Sequence, residues 1–279
     1  MTARPILIGQ ISDLHVKPPG VLAYRQVDTA AALTRCVAEL NRFDPRPDFV
    51  AISGDLADTP RAEEYDHLTR LLAPLDIPYA AIPGNHDNRA LLRAAFPHQA
   101  YAPTGGALNI LHAVGDLDVV LLDSSVPGAA HGTLDADTLR WLDATLAASA
   151  MRPALIFLHH PPFVTGIAHM DAQNLRNADA LAVIVQRHPR ARLLAAGHVH
   201  RATLTTFAGV PATICPAPNH AVALDLDAHL APSLKVEPPA FHLHAWFPGE
   251  GFGRVVTHHV PIGDFAGPHP FRGPDGRLL

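Results

Sequence analysis

The stretches of this chain that could do chemistry are short, polar and spaced between apolar runs. They are Ser12-Asp13-Leu14-His15, Gly54-Asp55, Gly84-Asn85-His86-Asp87, His159-His160-Pro161-Pro162 and Gly197-His198-Val199-His200. Each carries carboxylate, amide or imidazole groups and no thiolate, a donor set that suits Mn, Fe or Zn rather than Ca or a structural zinc site. Asp13 and His15, like His198 and His200, are separated by one residue, so in extended segments each pair is expected to point one way. Glycines before Asp55, Asn85 and His198 permit a sharp turn or a close backbone approach. The tips hold more donors than one tetrahedral ion uses. Two ions sharing a carboxylate is the economical arrangement, and ions about 3.5–4 Å apart form the clamp used for in-line attack at phosphorus. Taken singly, Gly-Asp and Asn85 read as turn residues. The weight lies in five such tips in series.

The elements that must position them follow from apolar periodicity. Strands are expected at 5–12, 48–53, 77–82, 153–159 and 191–197, and a hairpin at 107–124 around Gly115-Asp116. Helices are expected at 28–43, starting from an Asp28 cap, and at 61–73, 135–149 and 175–188. From 203 onward only short strands appear, among them "AVALDLD", "FHLHAW" and "RVVTHHV". Alternation of strands and helices predicts a layered α/β architecture. The hairpin and the late strands argue against one parallel sheet and favour two facing sheets with helices outside. Every candidate tip follows the carboxyl end of a strand, where open α/β sheets bind ligands, so the five tips are expected to converge.

Composition narrows the function further. With 279 residues, 48% of them hydrophobic, and a mean hydropathy of +0.11, the chain can bury a large core. The formal net charge of −5 offers no basic footprint for a nucleic-acid polymer. No apolar run approaches the roughly 18–20 residues that span a bilayer, and "MTARPILIGQ" has no signal-like apolar core. Two cysteines, Cys36 and Cys215, suit a reducing compartment. A cytoplasmic enzyme is the expectation. Histidine is the outlier at 19 residues, more than a packed core requires.

The blocks "DLH", "GDLAD", "GNHD", "HHPP" and "GHVH", in that order across residues 13–200, resemble the calcineurin-like metallophosphoesterases. The resemblance implies a four-layer αββα sandwich of two mixed sheets, with two transition-metal ions (Mn, Fe, Zn or Co) in a dinuclear centre. It implies that Asp13, His15 and His200 hold one ion, that Asn85, His159 and His198 hold the other, and that Asp55 bridges them. His159 is preferred to His160 because the family places its ligand two before a proline. His86 is implied to face the phosphate as proton donor or charge stabiliser, with Asp58 and Asp87 orienting ligands and His86. Text between the blocks looks like that of class III cyclic-nucleotide phosphodiesterases and their glycerophosphodiesterase relatives, and the whole of 1–279 is expected to be one such domain.

A small phosphodiester is therefore the expected substrate. Around the tips His and neutral polar groups outnumber Lys and Arg, which suits a monoanionic diester better than a dianionic monoester; Arg25 and Arg201 are the nearest candidate cations. His169, Met170 and Asp171, in the loop after His159, and Asn219, beside His220, are the candidate substrate contacts. The alternatives are a phosphomonoesterase or phosphonate monoesterase of the same superfamily, and a scaffold that has lost its chemistry. An extended C-terminal arm, aromatic-rich over 236–273 with Phe241, Trp246, Phe247, Phe252, Phe265 and Phe271, is expected to pack on its own domain or to join a homo-oligomer.

Overall fold

The computed structural model describes residues 4–103, 106–149 and 151–278. In chain order its elements are β1 Ile6–Ile11, α1 Thr29–Arg42, β2 Phe49–Ser53, α2 Ala62–Leu72, β3 Tyr79–Ile82, α3 Arg89–Ala95, β4 Ile110–Val114, β5 Leu117–Leu122, α4 Ala136–Ala148 and β6 Ala154–Leu158. There follow α5 Ala168–Asp171, α6 Ala178–Arg187, β7 Ala191–Ala196, β8 Thr203–Phe207, β9 Val210–Ile214, β10 Ala221–Val222, β11 Leu234–Lys235, β12 Ala240–Phe247 and β13 Arg254–Pro261. Asp28 caps α1 by accepting from the Ala31 N–H, and Asn88 caps α3 by accepting from Ala90 and Leu91.

These elements form two mixed sheets, ordered β13-β12-β1-β2-β3 and β4-β5-β6-β7-β9-β8, and a small β10-β11 hairpin. Strands β1, β2 and β3 run parallel, as do β5, β6, β7 and β9. The period of two in each strand sorts its side chains into layers. Leu7 and Ile11 of β1 join Leu33, Leu40 and Leu68 beneath α1 and α2, whereas Ile8 joins Phe49, Val119, Phe157 and Trp246 between the sheets. Leu142, Leu146 and Leu181 of α4 and α6 close the far side over Val120 and Ile156. The result is the αββα sandwich. Strands buried on both faces read as apolar runs for this reason, unbroken in β6 and over residues 119–122 of β5.

Two expectations change and one helix is new. The "AVALDLD" strand shrinks to two residues, because Asp225 and Asp227 accept from the backbone two residues on and turn the chain. Helix α3 was hidden by its proximity to the polar GNHDN block, whose last residue is its cap. The arm is shorter than its composition suggested. Residues 240–261 are integral strands, with β12 antiparallel to β1 over five residue pairs, and Phe241 and Trp246 are buried. Only the stretch beyond β13 leaves Phe265, Phe271 and Leu278 exposed.

The layer between the sheets also holds polar groups. Gln10 Nε2 donates to Ser53 Oγ and to the Ala196 carbonyl of the opposite sheet, while Gln10 Oε1 accepts from His244 Nε2. His242 lies two residues away on the same face, and its Nδ1 has no partner among the described residues. Burial, reinforced by His259, pushes His242 down to about 3 from an ordinary 6.5. Unfolded His242 would take up a proton that the folded chain refuses, so its stabilising effect is complete above pH 6.5 and is lost as pH falls toward 3. In urea titrations at about pH 7.5 and 5, His242→Leu is expected to lose about 2 kcal/mol less on acidification than the wild type. Equal losses would show that His242 is not held neutral.

Candidate metal centre

The five polar tips converge at the carboxyl ends of β1, β2, β3, β6 and β7. The tips after β1 and β2 zip together: Asp13, His15 and Val16 donate backbone N–H groups to the carbonyls of Gly54, Asp55 and Leu56. Five of the candidate donors sit in the left-handed region, Asp13 at φ 58°, His15 at 45°, Asp55 at 51°, His198 at 75° and His200 at 57°. This corrects the expectation of extended tips. Each paired donor points inward through a strained backbone, which costs about 1–3 kcal/mol per residue and persists where the surroundings impose it. Gly54 and Gly84 make room. A Cβ on Gly54 would meet His159, and one on Gly84 would meet the Asp55 carboxylate and His159 well inside contact distance.

The donors form two groups around one carboxylate. Asp55 Oδ2 lies 3.5 Å from His15 Nε2 and 3.3 Å from His159 Nε2. On the first side His15 Nε2 is 3.2 Å from His200 Nε2, and Asp13 Oδ1 is 3.4 Å from His200 Nε2. On the second, His159 Nε2 faces Asn85 Oδ1 at 3.1 Å and His198 Nδ1 at 3.3 Å. In three of these four rings the opposite nitrogen is committed elsewhere, while His198 Nε2 has no partner among the described residues. His15 Nδ1 donates to Asp58, His159 Nδ1 to the Ser53 carbonyl and His200 Nδ1 to the His220 carbonyl, which fixes the tautomers. Two Nε2 lone pairs 3.2 Å apart, as in His15 and His200, need a positive charge between them, a proton or a metal ion. The residues present therefore fit a metal pair.

Electrostatics agree with this. Burial and the neighbouring imidazoles hold His198 and His200 well below their ordinary value, so both rings stay neutral, as metal ligation would require. Burial pushes the Asp13 carboxyl up to about 6. Burial would do the same to Asp55, but the surrounding His159, His86 and His15 outweigh it and hold this carboxyl well below the usual range. Asp55 is the committed anion of the site.

His86 stands beside these groups without joining them. Its Nδ1 donates to the Asp58 carbonyl at 2.8 Å, its backbone N–H donates to Asp55 Oδ1, and its ring packs edge-on against His15. It lines a cavity of about 290 Å³ with His169, Met170 and Asn85. Other sequence candidates lie elsewhere. Asp171 accepts from Thr165 and Gly166 and fastens its own loop. Asn219 donates to the Asp13 and Leu14 carbonyls and holds that tip, leaving His220 to face the cavity. Asp87 spends its oxygens on the N–H groups of Leu56, Ala57 and Gly84 and on the Tyr65 hydroxyl, so it joins two tips instead of orienting His86. His160 turns its Nδ1 to Ser124 Oγ. Arg201 is engaged by Glu237 and the Val222 carbonyl, and neither it nor Arg25 lines the cavity. Tyr24, Gln173 and Ser233 also line the cavity. They come from irregular segments in which no periodicity could mark them.

Comparison with known proteins places this site in a family. The sequence model of the calcineurin-like phosphoesterases matches residues 6–202. The chain belongs to this family and is a metal-dependent hydrolase of phosphoric esters. It is 36% identical over 275 residues, 98% of this chain and 100% of the other, to a probable glycerophosphodiester phosphodiesterase, GpdQ, of Arcobacter nitrofigilis. It is 34% identical over 200 residues, 72% of this chain and 71% of the other, to the 3′,5′-cyclic adenosine monophosphate phosphodiesterase CpdA of Pseudomonas aeruginosa. A dimetal phosphatase from Danio rerio shares the fold, with a TM-score of 0.66 at 16% identity over 93% of this chain and 100% of that one.

The close approach at Gly84 yields a direct test. Gly84→Ala is expected to remain folded while its Mn²⁺ affinity, read by titration calorimetry, falls by about 10–100-fold. Wild-type affinity in that variant would show that the Gly84 contact does not shape the centre.

Proposed function

We propose that this chain hydrolyses small phosphodiesters, cyclic nucleotides or glycerophosphodiesters among them. In this reading Asp13, His15 and His200 hold one transition-metal ion, Asn85, His159 and His198 hold a second, and Asp55 bridges. The observation that carries it is the single Asp55 Oδ2 within 3.5 Å of an imidazole from each group. When bound, the ions neutralise charge growing on the phosphoryl oxygens and supply an acidified water for attack at phosphorus.

The protein's own part centres on His86. With Nδ1–H tied to the Asp58 carbonyl, the proton it delivers is the Nε2 proton of the imidazolium. Loss of that proton leaves the Nδ1–H bond intact, so the ring stays in place as it serves the leaving oxygen. General acid help of this kind contributes about 10²–10⁴-fold. Among the described residues lining the cavity there is no Lys or Arg. That favours a monoanionic diester over a dianionic monoester or a polyanionic nucleic acid. The names of the relatives, a glycerophosphodiester and a cyclic-nucleotide phosphodiesterase, support the same substrate class.

The chain acts as one unit in this proposal, since β12 and β13 complete the sheet that carries the first three tips. Buried free Cys36 and Cys215 suit a reducing, cytoplasmic setting, and no helix among the described residues is long and apolar enough to cross a membrane. Exposed Phe265, Phe271 and Leu278 favour a homo-oligomer joined through the terminal segment.

Two measurements test these statements. On Mn²⁺-loaded enzyme, kcat/KM for bis(p-nitrophenyl) phosphate is expected to exceed that for p-nitrophenyl phosphate. His86→Ala should bind metal normally yet lose about 10²–10⁴-fold in turnover, most for substrates with poor leaving groups. A preference for the monoester, or equal losses for good and poor leaving groups, would contradict the reading. For the oligomer, light scattering should show a smaller species when residues after 262 are removed; an unchanged mass would exclude the arm as the interface.

A further inference from the structure

Behind the candidate ligand His15, the Asp58 carboxylate is itself held by charges that no step above uses. Asp58 Oδ1 receives the His15 Nδ1 proton at 3.1 Å, and its other oxygen is held by Lys17 Nζ at 2.9 Å. Lys17 also reaches Thr59 Oγ1 at 3.2 Å and Glu64 Oε1 at 3.6 Å. Glu64 is fully buried, and it accepts from both the N–H and the hydroxyl of Thr59. The Lys17 carbonyl is fixed in turn by His67 Nδ1 of α2 at 2.7 Å. Lys17 and Asp58 are each only 15% exposed at the side chain.

Asp58 has a double hold on the site. Its carboxylate sets the tautomer of His15, and its main-chain carbonyl anchors His86 Nδ1. The position of both rings therefore depends on how Asp58 is held. Only one of its carboxylate oxygens serves His15. The other would be free to let the group rotate, were it not pinned by an ammonium that is itself fixed by Glu64 and Thr59. Lys17 is also the ammonium that two carboxylates share, Asp58 at 2.9 Å and Glu64 at 3.6 Å. Without it, mutual repulsion between the carboxylates would drive Asp58 off His15.

We infer that Lys17, braced by Glu64, is a positioning residue that sets both the candidate ligand His15 and the proton donor His86 through Asp58. The inference rests on the reading of the site as a dinuclear phosphodiesterase. It adds a residue two positions beyond the DLH block, outside the family pattern itself. Lys17 touches neither substrate nor reacting atoms.

The test uses the full chain and compares Lys17→Met, Lys17→Arg, Asp58→Asn and the double variant Lys17→Met/Asp58→Asn. Mn²⁺ titration calorimetry gives affinity without turnover, and bis(p-nitrophenyl) phosphate gives kcat and KM separately. Wild-type protein that binds Mn²⁺ and turns over the diester establishes the underlying reading, so the variants report on Lys17 alone. Lys17→Met is expected to weaken Mn²⁺ binding and to lower kcat, each by about 10–100-fold, with KM within about threefold. Lys17→Arg should recover most of both, and Lys17→Met should add little to Asp58→Asn. Wild-type affinity and kcat in Lys17→Met, or losses that multiply with those of Asp58→Asn, would overturn the inference. Should Lys17→Met not fold, Lys17→Gln takes its place in the same cycle and is judged by the same outcomes.

Discussion

One buried carboxylate organises this protein. Asp55 emerges from β2 at a strained left-handed position and meets imidazoles from both sheets, His15 after β1 and His159 after β6. Its other oxygen is held by the His86 backbone N–H. A lone carboxylate in so dry a place would be costly, and it is tolerated because positive charge and hydrogen bonds reach it from several directions. The two sheets must stack in register for those groups to meet. The Gln10 bridge to Ser53 and Ala196 helps to set that register.

The same constraint explains where the fold stores strain. Candidate donors at positive φ alternate with ordinary residues on the tips after β1 and β7, so paired side chains turn inward without a regular strand to aim them. Backbone ladders between tips, and Asp87 and Asn219 tied to neighbouring main chain, impose these conformations. Glycine at 84 is needed for space, because Asp55 and His159 already occupy the place of a Cβ. Rigidity of this kind keeps donors near ligating geometry before any ion arrives.

Much of this was legible in the sequence. The alternation of strands and helices predicted a layered architecture, and the hairpin with the late strand-only segment favoured two facing sheets with helices outside. The donors were legible because their chemistry is rare at strand ends and recurs five times. Other features depend on tertiary approach. Nothing local in "AVALDLD" announces that its aspartates will turn the chain, and Tyr24, Gln173 and Ser233 reach the cavity from irregular segments. Asp171 and Asn219 had the right residue type and neighbourhood, but their side chains serve nearby backbone. The brace from Glu64 through Lys17 to Asp58 joins a loop and a helix start more than forty positions apart, a distance that no periodicity can bridge.

The central claim is that one carboxylate is shared by two ions. Anomalous diffraction from Mn²⁺-loaded crystals tests it most directly. Two peaks are predicted on either side of the Asp55 carboxylate, one ringed by Asp13, His15 and His200 and the other by Asn85, His159 and His198. A single peak, or a second ion bound through His160 and away from Asp55, would contradict the account.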